Sequence, residues 1–169
     1  RGGSDFDAMS DLAKSLRAKL AQHARIAAPV VISDVTAIDG TRKWLLRLPK
    51  RGHEARAPEI ETVYIPESDR GTLCISSQAG CALGCVFCAT GRMGFRRNLT
   101  PFEIAGQVRE LVLADPADKP TNVVFMGMGE PLLNWPAVGP ALTILNDPLG
   151  LGIGARHITV STVGILPGV

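Results

Sequence analysis

Apolar residues recur every four positions at Leu12, Leu16, Leu20 and Ala24, the spacing of one face of a helix, and Ser10 stands where an N-cap would. Pro29 is expected to stop that helix. The pattern then turns to that of strands. Val30-Val31-Ile32-Ser33-Asp34-Val35 leads into Asp39-Gly40, a strong hairpin signal, and Lys43 to Leu48 supplies the returning strand. Residues 49 to 58, with Pro49, Gly52 and Pro58, read as a polar loop, and Glu59 to Ile65 as a third strand. Residues 1–68 are therefore expected to form a helix followed by a small antiparallel sheet.

From residue 69 to residue 169 strand and helix alternate. Leu73 to Ser77 is a short strand, followed by a cysteine-rich loop. Thr100-Pro101-Phe102-Glu103 is a capping box with proline at the first helical position, which predicts a helix over 101–114. Ile104, Val108, Leu111 and Val112 are its apolar set, and Asp115-Pro116 its expected stop. Asn122 to Met128 is almost continuously apolar, as in a strand buried on both faces. A second helix is expected between Pro136 and Asn146, with Pro140 delaying or kinking it. A glycine-rich loop at 150–154 then leads to the strand Ile158 to Thr162. Three strand–helix units in series predict an α/β fold with a parallel sheet and right-handed crossovers.

Composition narrows the class. A chain of 169 residues with 46% hydrophobic content is too apolar to be disordered and long enough for its own core. A net charge of +2 decides nothing about nucleic acid. No apolar run approaches the roughly 20 residues of a membrane span, and Arg1 to Asp5 lacks the pattern of a secretory signal. Of four cysteines, three lie within eight positions, which is not the layout of a disulfide scaffold. A reducing, cytoplasmic setting with thiolates kept for metal is expected.

Those three are Cys81, Cys85 and Cys88, spaced so that a loop wrapped around one centre can bring them together, with Gly80, Gly84 and Gly91 supplying backbone freedom. A structural zinc site would need a fourth ligand, and the candidate, Cys74, sits on a predicted strand seven residues upstream, while His23, His53 and His157 are distant. Three thiolates suit a [4Fe–4S] cluster with one iron left open. Three incidental core thiols are the remaining reading.

Further along, Phe125-Met126-Gly127-Met128-Gly129-Glu130-Pro131 closes the second parallel strand, at the end where such sheets bind ligands. Gly127 and Gly129 would let a ligand approach the backbone, and Glu130 offers a carboxylate to an ammonium group. The same residues also describe a plain strand-ending turn. Ser161, at the end of the third strand, can present a hydroxyl to that ligand or be a turn residue. Arg92, Arg96 and Arg97, with Phe95 among them, suit RNA phosphates and base stacking, or equally a solvated basic surface.

The C-x-x-x-C-x-x-C loop after the first strand of such a series resembles the radical S-adenosylmethionine enzymes. Thr72 to Gln78, the cysteine loop, the Gly-Met-Gly-Glu-Pro-Leu-Leu-Asn stretch and His157 to Gly164 together resemble one subfamily, the dual-specificity 23S ribosomal RNA and transfer RNA adenine carbon-2 methyltransferases. Asp5-Phe6-Asp7 with Leu16 to Leu20 is similar to that subfamily's segment before the barrel. The resemblance implies a partial (β/α)6 barrel, represented here by its first three β/α units. It implies a [4Fe–4S] cluster on Cys81, Cys85 and Cys88, and S-adenosylmethionine held with Gly129, Glu130 and Ser161. Two cofactor molecules would be used per turnover. One methylates a protein cysteine, and the other yields the radical that takes hydrogen from that methyl group before the carbon adds to adenine.

In this scheme Cys74 occupies the position of the thiol that resolves the protein–RNA bond, and Glu61 that of the proton acceptor. Without the resemblance, Cys74 reads as a buried small hydrophobe and Glu61 as an exposed strand glutamate like Glu59. To act, Cys74 must ionise, so neighbouring positive charge is expected to lower its pKa. The implied partners are 23S rRNA, tRNA and an electron donor such as flavodoxin, with no membrane. No cysteine follows Cys88, and the subfamily's methyl-carrying cysteine lies much nearer the carboxyl end of a complete enzyme. The chain is thus expected to be an internal piece that cannot complete methylation alone, with an open last strand. The rival readings are the related adenine carbon-8 methyltransferases and a non-catalytic, zinc-stabilised RNA-binding module.

Overall fold

The computed structural model describes residues 5–114 and 120–165. After a short 3-10 turn at Phe6–Ala8, helix α1 runs over Lys14–His23. It starts later than the Ser10 cap suggested, with Ala13 at the N-cap, and ends before Pro29 because Ala24 is already extended. No residue of α1 is buried, and Leu16 is 45% exposed. Its leucine stripe makes a helix but does not join the core.

Strands β1 (Val30–Thr36), β2 (Arg42–Arg47) and β3 (Glu59–Pro66) form the expected antiparallel meander. The Asp39-Gly40 turn is built as its residues require: Gly40 has φ +83°, and the Asp39 carboxylate accepts the Thr41 N–H at 2.9 Å. Strand β4 (Gly71–Cys74) pairs antiparallel with β3 and parallel with β7 (Asn122–Phe125), which pairs parallel with β8 (Ile158–Val160). One six-stranded sheet of order β1-β2-β3-β4-β7-β8 therefore continues from the antiparallel part into the parallel part. The division placed between residues 68 and 69 falls in the β3–β4 hairpin.

Helix α3 (Pro101–Ala114) links β4 to β7, and α4 (Trp135–Asn146) links β7 to β8. Short α2 (Ala89–Arg92) lies in the cysteine loop. The capping box forms in both directions: Glu103 N–H donates to Thr100 Oγ1, and Thr100 N–H to Glu103 Oε2 at 2.9 Å. The Asp115-Pro116 stop lies outside the described residues. Helix α4 runs through Pro140.

The two long helices cover one face of the sheet. Ile104, Val108 and Leu111 of α3, and Val138, Ala141 and Leu145 of α4, form one core with Ile60, Leu73, Ile75, Val123 and Phe125. Each large side chain buried there contributes roughly 1.5–3 kcal/mol. Strand alternation leaves Glu59, Glu61, Val63, Cys74 and Val124 on the other face, which no helix of the described residues covers. Among the described residues no helix is long and apolar enough to cross a membrane.

Candidate active site

The cysteine loop is mounted on a ribbon the sequence did not announce. Strands β5 (Gln78–Gly80) and β6 (Phe95–Asn98) pair antiparallel, so residues 81–94 form the tip of a hairpin. Gly80, at φ +74°, is obligatory there, since a Cβ would lie 1.9 Å from the Gly94 carbonyl oxygen. Within the tip, Cys88 N–H donates to Cys85 O at 3.0 Å, Arg92 Nη2 to Val86 O at 3.0 Å, and Leu83 N–H to Cys81 Sγ at 3.4 Å. Gly91 is pressed so closely on Leu83 O that a Cβ would stand 2.7 Å away. Arg92 is thus a brace of the loop.

Cys81, Cys85 and Cys88 are all free and half-buried. Their thiols are not gathered as the ligands of a single ion would be, and no other group of three His, Cys, Asp or Glu side chains among the described residues is either. A tetrahedral zinc site, with Zn–S near 2.3 Å, needs its sulfurs within about 4 Å of one another. A cluster sets each thiolate on its own iron, farther apart, and draws N–H···S bonds such as that from Leu83. Three thiols with no fourth ligand gathered to them among the described residues leave a zinc tetrahedron incomplete, and that donor set suits a cluster with one iron open.

Behind the loop, a buried polar lattice locks the segment after β4 to the segment after β7. Ser76 N–H donates to Gln107 Oε1 and Gln107 Nε2 to Ser76 O, both at 2.8 Å, while Thr62 Oγ1 donates to the same Gln107 oxygen at 2.8 Å. Ser76 Oγ donates to Glu61 O at 2.7 Å and accepts the Met128 N–H at 2.9 Å. Gln78 Oε1 accepts the Glu130 N–H at 2.9 Å, and Asn134 Nδ2 donates to Ser77 O at 2.7 Å and Leu99 O at 2.9 Å. Gly127 and Gly129 are where the two segments touch. A Cβ on Gly127 would stand 2.7 Å from Ser76 Oγ, and one on Gly129, at φ +98°, 2.5 Å from Gln78 Cβ. These glycines admit the protein's own backbone.

Glu130 is buried at the head of the 3-10 turn Pro131–Asn134. Its Oε1 accepts the Leu132 N–H at 3.0 Å and the Thr162 hydroxyl at 2.5 Å, and its Oε2 the Val163 N–H at 3.1 Å. Thr162 is the hydroxyl that reaches this carboxylate; Ser161 is its half-buried neighbour just beyond β8. The carboxyl ends of β7 and β8 are thereby tied through one side chain. Ser77 Oγ, also buried, has no hydrogen-bond partner among the described residues, which leaves a polar atom unspent beside the cysteine ribbon.

Cys74 lies in a register line with Val63 of β3 and Val124 of β7, on the open face of the sheet. Glu61 sits two residues from Val63 on that same face, 49% exposed, with Lys43 Nζ 3.2 Å from its Oε1. The cation nearest in register to Cys74, Lys43 opposite Val63, is thus engaged by Glu61. Burial pushes the Cys74 thiol up, and a hydrogen bond from the Met126 backbone only partly offsets it. The expected lowering by nearby positive charge is not found.

Of the three arginines, Arg92 and Arg96 are exposed, Arg92 with its guanidinium on the Val86 carbonyl, and Arg97 is not. Arg97, its side chain 13% exposed, grips both Glu103 carboxylate oxygens at 2.8 Å and stands 2.7 Å from Glu54. It is a strut between the 49–58 loop and the start of α3. Burial favours the uncharged form of Glu103, yet hydrogen bonds from Arg97 and Thr100 outweigh that and hold its pKa below the usual carboxylate range.

Residues 75–168, from the end of β4 past β8, match the family model described as the radical SAM superfamily. The chain belongs to that superfamily. Within it, residues 1–26 also match the model of the ribosomal RNA large subunit methyltransferase N-terminal domain. The probable dual-specificity RNA methyltransferase RlmN of Gemmatimonas aurantiaca is 60% identical over 164 residues, covering 97% of this chain and 44% of that protein. The dual-specificity RNA methyltransferase RlmN of Bradyrhizobium diazoefficiens is 51% identical over 177 residues, covering 100% of this chain and 44% of its own length. A crystal structure of a radical SAM methyltransferase from Sphaerobacter thermophilus superposes with a TM-score of 0.83 at 42% identity, over 98% of this chain and 48% of that one. The chain spans less than half the length of these relatives. As a radical SAM protein it takes a [4Fe–4S] cluster and S-adenosylmethionine, and the three-thiol loop is where its residues fit the former.

Proposed function

We propose that this chain is the cofactor-binding part of an enzyme that methylates carbon 2 of an adenine in 23S rRNA and in tRNA, in a cytoplasmic setting and with an electron donor of the flavodoxin kind. The observation that carries the reading is the placement of the three-thiol loop after the carboxyl end of β4, the strand end that carries Cys74 and whose next turn, through Ser76, is bonded to Glu61 of β3. Its likeness to RNA methyltransferases over nearly its whole length supports the substrate class.

In this reading Cys81, Cys85 and Cys88 hold the cluster, which supplies the single electron that cleaves S-adenosylmethionine to a carbon radical. Gly129, Glu130 and Ser161 form the seat of the cofactor's amino-acid end. Glu130 is rigidly oriented by three donors and keeps lone pairs for an ammonium group. Glu61 accepts the proton that the adenine gives up. Cys74, as a thiolate, attacks the protein sulfur that carries the nucleotide, so that a sulfur–sulfur bond forms as the sulfur–carbon bond breaks and the carbon keeps the electron pair; burial raises the pKa of the free thiol. The fifth cysteine that this chemistry needs is not among residues 1–169, so the chain alone is expected to make no methylated product.

Nucleoside analysis of rRNA and tRNA exposed to the product of the complete gene tests the reading. It should yield 2-methyladenosine, and Glu61→Gln should slow its formation without bleaching the cluster. 8-Methyladenosine, or no modified adenosine, would overturn it.

A further inference from the structure

A cavity of about 600 Å3 opens between the 50–57 loop and the stem of the cysteine hairpin. Its walls carry Arg47, Lys50, Arg56 and Arg96 against the single carboxylate of Glu59, a surplus of three positive charges. Glu59 is already committed to Arg47, with contacts at 2.9 and 3.1 Å. Lys50 Nζ donates only to the Ala55 carbonyl, at 3.2 Å, and neither Arg56 nor Arg96 has an acidic partner among the described residues. Three like charges facing one open space repel one another, and an anion bound between them would relieve that repulsion.

The walls are also held in place. Arg97, beneath them, ties Glu54 and the Pro49 carbonyl of the loop to Glu103 at the head of α3, and Arg51 stands 3.8 Å from the same carboxylate. The cations are therefore presented by braced elements, so little ordering is left for a ligand to impose. The cavity is continuous with the candidate active site. Gly80, Met93 and Gly94 of the cysteine hairpin line it, and Glu59 is two residues from Glu61 on the same face of β3. Met93, on the hairpin side of the cavity, is exposed, as is Phe95 next to Arg96.

The geometry points to a phosphodiester-binding subsite, in which Lys50, Arg56 and Arg96 grip the RNA backbone adjoining the adenosine presented to Cys74. This rests on the RNA reading above and adds the residues that set the position of the strand. Neutralising one phosphate-binding side chain should take close to one unit from the slope of log affinity against log salt.

The test is fluorescence anisotropy of a labelled stem–loop RNA with the anaerobically reconstituted chain over a salt series. Wild type is compared with the double variant Arg56→Gln/Arg96→Gln, with Lys50→Gln, and with Arg70→Gln at the opposite end of the sheet. The double variant should bind roughly ten-fold more weakly at low salt, with a slope shallower by about 1.5–2, and Arg70→Gln should match wild type. A double variant and a Lys50→Gln chain that keep the wild-type slope would overturn the subsite. Inorganic phosphate that competes in wild type while RNA binding is untouched by the substitutions would also overturn it, by assigning the cavity to a small anion. A wild-type chain that binds no RNA at all would instead count against the RNA function itself.

Discussion

Gly129→Ala separates two uses of the glycines at the end of β7. The residue has φ +98°, where an L side chain costs about 1–2 kcal/mol. Its new Cβ would also stand 2.5 Å from Gln78 Cβ and 2.8 Å from Gln78 N, roughly 1 Å inside normal carbon contact. Gln78 is 1% exposed and cannot swing aside, and shifting it breaks its 2.9 Å bond to the Glu130 N–H. Overpacking of this kind adds about 1–3 kcal/mol, for a total near 2–5 kcal/mol. For a chain of 169 residues that lowers the melting temperature by roughly 4–20 °C, read by circular dichroism. Gly139→Ala is the internal control. It sits in α4 with nothing beyond its chain neighbours within 4 Å of a new Cβ, and because Pro140 follows it and offsets the helical preference for alanine, its stability should stay within about 1 kcal/mol of wild type. A Gly129→Ala chain that melts with wild type but binds S-adenosylmethionine poorly would refute the packing argument and return the glycine to the ligand.

Three further outcomes follow from the same geometry. Glu103→Gln leaves Arg97 with Glu54 as its one carboxylate partner and should cost about 2–4 kcal/mol at neutral pH in urea denaturation. Because the folded state depresses the Glu103 pKa, its contribution is complete above the ordinary glutamate value and is lost as pH falls through the folded one. The variant's stability should therefore fall less steeply than wild type's below about pH 4.5. Thr162→Val removes a donor from a buried carboxylate and should cost about 1–2 kcal/mol, against less than about 0.5 kcal/mol for Ser161→Ala; equal costs would show that Ser161 shares the carboxylate. Alkylation of Cys74 by iodoacetamide, followed by mass spectrometry of its peptide, should have a pH midpoint above that of an ordinary cysteine, and a lower midpoint would show a cation that the fold does not place there.

What was legible in the sequence was local. The capping box of α3 and the Asp39-Gly40 turn each depend on residues within a few positions of one another, and both are found as read. The ribbon β5–β6 escaped because its strands of three and four residues are joined by a hairpin of fourteen, too short and too far apart to show a period. Gln107, a polar residue on an apolar helix face, and Asn134, in the turn before α4, escaped because each looks like noise until its partners, 31 and 57 residues away, are in place. Arg97 looked like its neighbour Arg96, and only the approach of Glu54 and Glu103 turns it into a buried strut. Cys74 was expected beside positive charge, but Lys43, the cation in its register line, is spent on Glu61. Glycine spacing at 127 and 129 showed that something comes close, without showing that it is the protein's own Ser76 and Gln78.

Residues 81–88 are proposed to hold a redox cluster on three thiolates. Anaerobic reconstitution of the chain with iron and sulfide, followed by reduction with S-adenosylmethionine present, tests it most directly. The expected result is a brown protein with about four irons per chain, charge-transfer absorption that vanishes in Cys85→Ser, and formation of 5′-deoxyadenosine. A colourless chain that instead retains one zinc would contradict it.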